Sequence, residues 1–303
     1  MNFKKSLFLP FFFSIVSSVS FAQSSHFNDL LDAAAQGNAD VQYNLGEMYD
    51  KGQGVAQSYE KAFEFFSKSA AQGNANAQFS LAGMYLNGDG VAQSDVKAFE
   101  WFSKSAVQGN AKAQNNLAAM YYDGLGVTQN DVKACEWFSK SAVQGNVNAQ
   151  YSLAMMYYDG RGVAQSDVKA FEWFSKSEAK RGMAAAQYGL GIMYDKGRGV
   201  AQSDVKAFEW YSKSAAQGHV DAQYNLAVMY ETGKGTSKNT ILANEWYLKA
   251  ADNGDAMAQF NIGNNYLYGR NGLPKNRTQA LKWFKKAADN GNAQAKLVLA
   301  GLQ

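Results

Sequence analysis

Few side chains in this sequence are of the types that do covalent or metal chemistry. Its 303 residues include two histidines, His26 and His219, and one cysteine, Cys135. A zinc site gathers several His, Cys or carboxylate ligands, and neither histidine has a ligand spacing. Asp95, Asp131, Asp167 and Asp204 recur regularly. Each begins a helical run, however, where a carboxylate complements the positive end of the helix without catalysing anything. Runs such as Gly88-Asp89-Gly90 fall between two helical patterns and not after a strand, so they read as turn glycines and not as a phosphate cradle. There is no nucleophile elbow. No catalytic, cofactor-binding or metal-binding residue is assigned. Cys135 occupies the position of Phe63, Phe99, Phe171 and Phe208. It reads as a small buried residue, with a reactive or intermolecular thiol as the alternative.

The chemistry left is recognition. Two residues after a recurring Gln stands the column Asn44, Ser80, Asn116, Ser152, Gly189, Asn225 and Asn261. Asn and Ser both donate and accept hydrogen bonds, so a ladder of them could hold a peptide backbone or glycan hydroxyls. Tyr122 and Tyr158 vary beside it, as do Glu47, Met155, Ile192 and Val228. The alternative for the column is an ordinary polar surface.

The elements that must position this column repeat along the chain. Gly37, Gly73, Gly109, Gly145, Gly182, Gly218, Gly254 and Gly291 are spaced by 36, 36, 36, 37, 36, 36 and 37 residues. A fixed period in this range marks a solenoid or related array. In the unit at Gly109, Asn110 is an N-cap residue. Gln114, Leu117, Ala118 and Tyr121 then share one helical face. Gly124 ends this helix A, and Asn130 and Asp131 open a helix B with Ala134, Trp137, Phe138 and Ala142 on its apolar face. A lone hairpin of this kind cannot bury its apolar side, so neighbours must stack. Ala62, Ala98, Ala134, Ala170, Ala207, Ala243 and Ala280 match in helix B. Gly46, Ala82, Ala118, Ala154, Gly191, Ala227 and Gly263 match in helix A. Both columns allow close helix approach. Trp101, Trp137, Trp173, Trp210, Trp246 and Trp283 read as core anchors. Glu four residues before Lys along helix B reads as a solvated, ion-paired face.

Residues 1–22 have the basic start, short apolar run and Ser20-Phe21-Ala22 ending of a cleaved signal peptide. The expected location is therefore the periplasm or the secreted medium, with no membrane span after cleavage. Removing that segment leaves 27 basic against 26 acidic residues. The basic footprint that nucleic-acid binding requires is missing. Residues 23–36 read as an N-terminal capping helix, 37–290 as seven repeats, and 291–303 as a C-terminal capping helix in which Lys296 replaces Gln.

Ala77-Gln78, Leu81, Ala82, Met84, Tyr85, Gly88, Gly90, Val91, Lys97, Ala98, Trp101 and Lys104 closely resemble one copy of the Sel-one-like repeat, a relative of the tetratricopeptide repeat. The resemblance covers about residues 37 to 303. It implies an all-α, right-handed α/α superhelical solenoid of about seven repeats, working as an adaptor or scaffold. Exported bacterial members act in envelope assembly or contact host molecules. A cysteine-rich bacterial branch staples each helix pair with a disulfide and is linked to β-lactam binding or hydrolysis. A chain with one cysteine departs from that branch. The expected function is thus an exported, non-catalytic scaffold whose concave groove takes a protein or peptide, an envelope glycan or a host protein. The alternative is a cell-wall or β-lactam hydrolase.

Overall fold

The computed structural model describes residues 27–302. The expected signal peptide and His26 lie outside them. Among the described residues there are helices and no strands. Helix α1 spans 27–35. The helices A are α2 (Ala39–Lys51), α4 (Ala75–Asn87), α6 (Ala111–Asp123), α8 (Val147–Asp159), α10 (Ala184–Lys196), α12 (Val220–Thr232) and α14 (Ala256–Tyr268). The helices B are α3 (Tyr59–Ala71), α5 (Asp95–Val107), α7 (Asp131–Val143), α9 (Asp167–Arg181), α11 (Asp204–Ala216), α13 (Thr240–Asp252) and α15 (Arg277–Asp289). Helix α16 (Ala293–Leu302) follows. The chain forms two compact units that divide between Asn130 and Asp131. Within each, every helix packs on the next.

Capping explains the regular boundaries. Asn74 and Asn146 accept from the backbone N–H three residues on, and Ser94 and Ser166 do the same for helices B. Gly88 and Gly160 close helices A in the left-handed conformation. The second glycine of each loop has a different reason. At Gly126 and Gly162 a Cβ would overlap the backbone carbonyls of Asp95 and Asp131, which begin the preceding helix B. The loop is pressed against that helix terminus, and a side chain has no room there.

The small columns pack as their spacing suggests. Ala62, Ala98, Ala134, Ala170, Ala207, Ala243 and Ala280 are all fully buried. A Cβ on Gly46 would meet the Phe66 ring at 2.6 Å. Two expectations need correction. The fully buried helix-B aromatics are Phe66, Phe102, Phe174, Tyr247 and Phe284, one residue after the expected anchors. The indoles of Trp101, Trp137, Trp173, Trp210 and Trp246 are only half-buried. The helix-B lysines also behave differently. Lys68 pairs with Glu64 at 2.6 Å. In the later repeats Lys104, Lys140, Lys176 and Lys213 lie 3.9–4.0 Å from the centres of the Trp rings one turn earlier. A half-buried indole face beside a flexible ammonium gives a cation–π contact, and the lysine stem shields the indole from water.

Candidate functional site

The recurring Gln of helix A does not simply face the core. Gln78 is buried, donates to the Ala70 carbonyl at 3.1 Å, and accepts from Gln108 Nε2 at 2.7 Å. It thereby ties its own helix to the helices B before and after it. Gln42–Gln72 and Gln187–Gln217 repeat the second bond at 2.7 Å, and Asn253 and Asn290 supply it to Gln223 and Gln259. Ser69, Ser105 and Ser214, all fully buried, add bonds of 2.7 Å to the first residue of the preceding helix A. These ties fix the neighbouring helices A at a constant offset, which lines up what lies beside the Gln.

Next after the Gln comes a column that sequence reasoning passed over: Tyr43, Phe79, Asn115, Tyr151, Tyr188, Tyr224 and Phe260. Tyr43, Phe79, Tyr151, Tyr188, Tyr224 and Phe260 stand 5.6–5.8 Å from the buried helix-B ring of their own hairpin. This is an aromatic wall. Its signal was available, since the position is aromatic in six of seven units.

The Asn/Ser ladder runs along this wall and is partly occupied by it. Ser80 and Glu47 lie beside the Tyr43 phenol. Burial, helped by Glu47, pushes that phenol up to about 12. Asn225 lies beside Tyr188 and Tyr211, and Asn261 beside Tyr224 and Tyr247. Tyr247 donates its own hydrogen bond to Glu231 at 2.8 Å. Asn116 accepts from Asn115 at 3.2 Å. Asn44 is exposed and Ser152 half-exposed. Tyr122 is half-buried, and its carbonyl accepts from Gln129 at 2.9 Å. The phenol ring of Tyr158 lies under the Arg198 guanidinium at 3.7 Å.

Two concavities lie against the wall, one in each unit. In the first unit a cleft of about 310 Å³ is lined by Tyr43, Glu47, Asn76, Phe79, Ser80, Asn110, Ala111 and Lys112. All eight come from helices A or their N-terminal caps. The cleft has an aromatic floor with a carboxylate and an ammonium at its edges. In the second unit an apolar pocket of about 90 Å³ is lined by Tyr151, Met155, Tyr158, Phe174, Ala185, Tyr188, Gly189 and Ile192. Of the ladder and its two tyrosines, the structure thus places Ser80 in the cleft and Tyr158 in the pocket. Asn44, Asn116, Ser152, Asn225, Asn261 and Tyr122 line neither.

The remaining chemistry-bearing residues have structural posts. His219 caps α12: its Nδ1 accepts from the Ala222 N–H at 3.4 Å, and its ring stacks on Tyr188 at 4.6 Å. Burial holds its pKa below the ordinary histidine value. Cys135 is buried, and burial raises its thiol. Asp131 takes two bonds from Arg161, at 2.7 and 3.1 Å, and Asp167 is held by Arg198 at 2.6 Å. These pairs strap a loop to the preceding helix B, so Asp131 and Asp167 serve the stacking. Among the described residues no group of three or more His, Cys, Asp or Glu could hold a metal ion, and no helix is long and apolar enough to cross a membrane.

Comparison with known proteins agrees with this architecture. The family described as Sel1 repeat matches seven times, at residues 39–74, 75–110, 111–146, 147–180, 184–219, 220–255 and 256–292. The crystal structure of c5321, a protective antigen present in uropathogenic Escherichia coli strains displaying an SLR fold, is 34% identical with a TM-score of 0.81. The match covers 91% of this chain and 58% of that one, so this chain spans under two thirds of that protein. A Sel1 repeat protein from Oxalobacter formigenes is 32% identical with a TM-score of 0.73, over 90% of this chain and 79% of the other. Among curated proteins no match was found.

Proposed function

The chain belongs to the Sel1-repeat family, and from that premise we propose that it is an exported, non-catalytic scaffold that binds an extended protein segment along the helix-A faces of its units. The observation that carries this reading is the cleft of the first unit, built wholly from helices A and their caps. Its aromatic floor offers apolar area, and Ser80, Asn76 and Asn110 offer the donors and acceptors a peptide backbone needs. Helix-B faces offer less: their indoles are already covered by lysines. Residues 1–22 support export to the periplasm or the medium.

The test is site-specific photocrosslinking. A photoreactive amino acid at Ser80 is compared with one at Glu100, which is exposed on helix B. Expected is a discrete protein adduct from position 80 and none from position 100. The reverse pattern would reject the groove. Export is checked by N-terminal sequencing of protein made from the full chain; a product that starts at Gln23 outside the cytoplasm is expected, and retention inside with Met1 intact would reject it.

A further inference from the structure

The ladder has one gap. Where the other units carry Asn or Ser, the fifth carries Gly189. A Cβ there would lie 2.9 Å from the Phe174 ring. The glycine therefore lets the ring sit closer and leaves the apolar pocket open beside it. The pocket offers about 90 Å³ and exposes almost only apolar surface. That suits a small aliphatic side chain. Apolar cavities of this kind hydrate poorly, so filling one with carbon is favourable.

One wall of the pocket also indicates charge. Tyr188 lines it, stacks on His219, the cap of α12, at 4.6 Å, and is raised by burial first and then by the nearby carboxylate of Asp221. Asp221 lies one turn before Asn225, is exposed, and has no ion-pair partner among the described residues. Asp255 adds to the negative field at the same phenol. Asp221, two residues after the His219 ring that stacks on Tyr188, is thus an exposed carboxylate at the start of α12 on the Tyr188 side of the pocket, and a positive group on a visitor is attracted to it.

We infer that the Gly189 pocket is a specificity subsite of the second unit: it receives one aliphatic side chain of an extended peptide, and Asp221 takes a basic side chain next to it. This rests on the peptide-binding reading above. It adds that the two units read different things. The first offers a mixed polar and aromatic cleft, and the second selects an aliphatic–basic pair.

The test uses fluorescein-labelled, acetylated octapeptides of Gly and Ser carrying one Leu and one Lys, set zero, one or two residues apart in both orders. Binding to the chain from Gln23 to Gln303 is followed by anisotropy at low salt. At least one spacing is expected to bind. Replacing its Leu by Ser or its Lys by Glu weakens it at least tenfold. Gly189→Ser, which restores the ladder residue, and Ala185→Phe, which fills the pocket from α10 without touching Phe174 through a new Cβ at 189, each weaken it at least tenfold. Asp221→Lys weakens it about tenfold and removes the salt dependence. Circular dichroism identifies any variant that fails to fold, and the other pocket variant then decides. If no spacing binds better than the Ser and Glu controls, the inference is overturned. Undiminished binding by a folded pocket variant also overturns it, while a Ser80 adduct would leave the groove reading standing. Binding of a peptidoglycan fragment that Gly189→Ser abolishes would assign the pocket to sugar and reject the peptide.

Discussion

The joint between α3 and α4 and the joint between α9 and α10 join equivalent elements by different means. At the first, Gln72 donates to Gln42 at 2.7 Å, Ser69 donates to the Ala39 carbonyl at 2.7 Å, and Asn74 caps α4. At the second, the Gln150 side-chain oxygen is buried without a partner, the Ser177 bond to Val147 lengthens to 3.2 Å, and Met183 makes no side-chain cap. The cause is visible in the chain. Ser177-Glu178-Ala179-Lys180-Arg181-Gly182 carries one residue more than other joints and no Gln or Asn to reach back. Helix α9 runs to 15 residues where its counterparts have 13. An added residue rotates the end of a helix by about 100°, so the ties fail together. The joint lies beside the Gly189 pocket, and the loss of polar ties coincides with the opening of an apolar site.

That contrast can be broken at its strongest point first. Gly162→Ala places a Cβ against the Asp131 carbonyl at a backbone φ of +67°. Gly182→Ala at φ +59° meets only the end of the Gln187 side chain, at 3.6 Å. The regular strap is expected to lose at least about 2 kcal/mol from strain and overlap together, and the irregular joint about 1 kcal/mol from strain alone. Chemical denaturation followed by circular dichroism measures both. Equal losses would mean that the straps are not closely packed.

The buried glutamines provide a second comparison. Gln78→Leu strands the Gln108 amide and removes one of the bonds to the Ala70 carbonyl, at about 1–3 kcal/mol. Gln150→Leu removes an oxygen that is already unpartnered and loses one bond to Ala142. It should cost clearly less. Hydrogen exchange at α4 and at α8 reads the difference locally, as suits an array whose repeats open semi-independently. A costlier Gln150 change would show that the joint holds a partner for that oxygen.

Smaller effects follow at the caps. Met183→Asn supplies the missing cap and should stabilise α10 by about 0.5–1 kcal/mol, whereas Asn74→Met should cost α4 a similar amount. Failure of the first to raise the melting temperature would locate the weakness in packing and not in capping.

The smallest effect is a pH slope. His219 caps α12 only when neutral, and burial lowers its folded pKa below the ordinary 6.5. The unfolded chain therefore binds the proton first. Stability from this cap is complete above about pH 6.5 and is lost as pH falls through the lower folded value. His219→Asn, the residue at the matching position of α4, should flatten the change in melting temperature between pH 7.5 and 5.5. An unchanged slope would assign the effect to other groups.

Much of the fold was legible from single residues. Glycines at a fixed period, Asn or Ser three residues before each helical N–H to be capped, and columns of alanine describe helical hairpins that stack. Each depends on neighbours within a turn or on one contact repeated many times. The candidate site was legible in part. Ser80 and Tyr158 line concavities, but the aromatic column beside the ladder was passed over because a ring after a buried Gln looks like ordinary core. The helix-B anchors other than Trp283 were misplaced by one position: periodicity alone does not say which of two adjacent rings, Trp101 or Phe102, takes the centre of the stripe.

What the sequence determined by itself is the all-α class, the repeat, its period and the residues that begin and end each helix, because caps and periodicity act over distances of a few residues along the chain. What only tertiary structure decided is which polar groups are used up. Asn225 and Asn261 lie against tyrosines, Asp131 and Asp167 hold loop arginines, and the Gln150 side-chain oxygen is left without a partner. Such pairings join residues 14 to 37 positions apart, and whether a donor there reaches its acceptor depends on a shift of less than one helical turn. Gly189 belongs to the same class. In the sequence it is a gap in a column, and it becomes a pocket only because the Phe174 ring is close enough for a Cβ to matter.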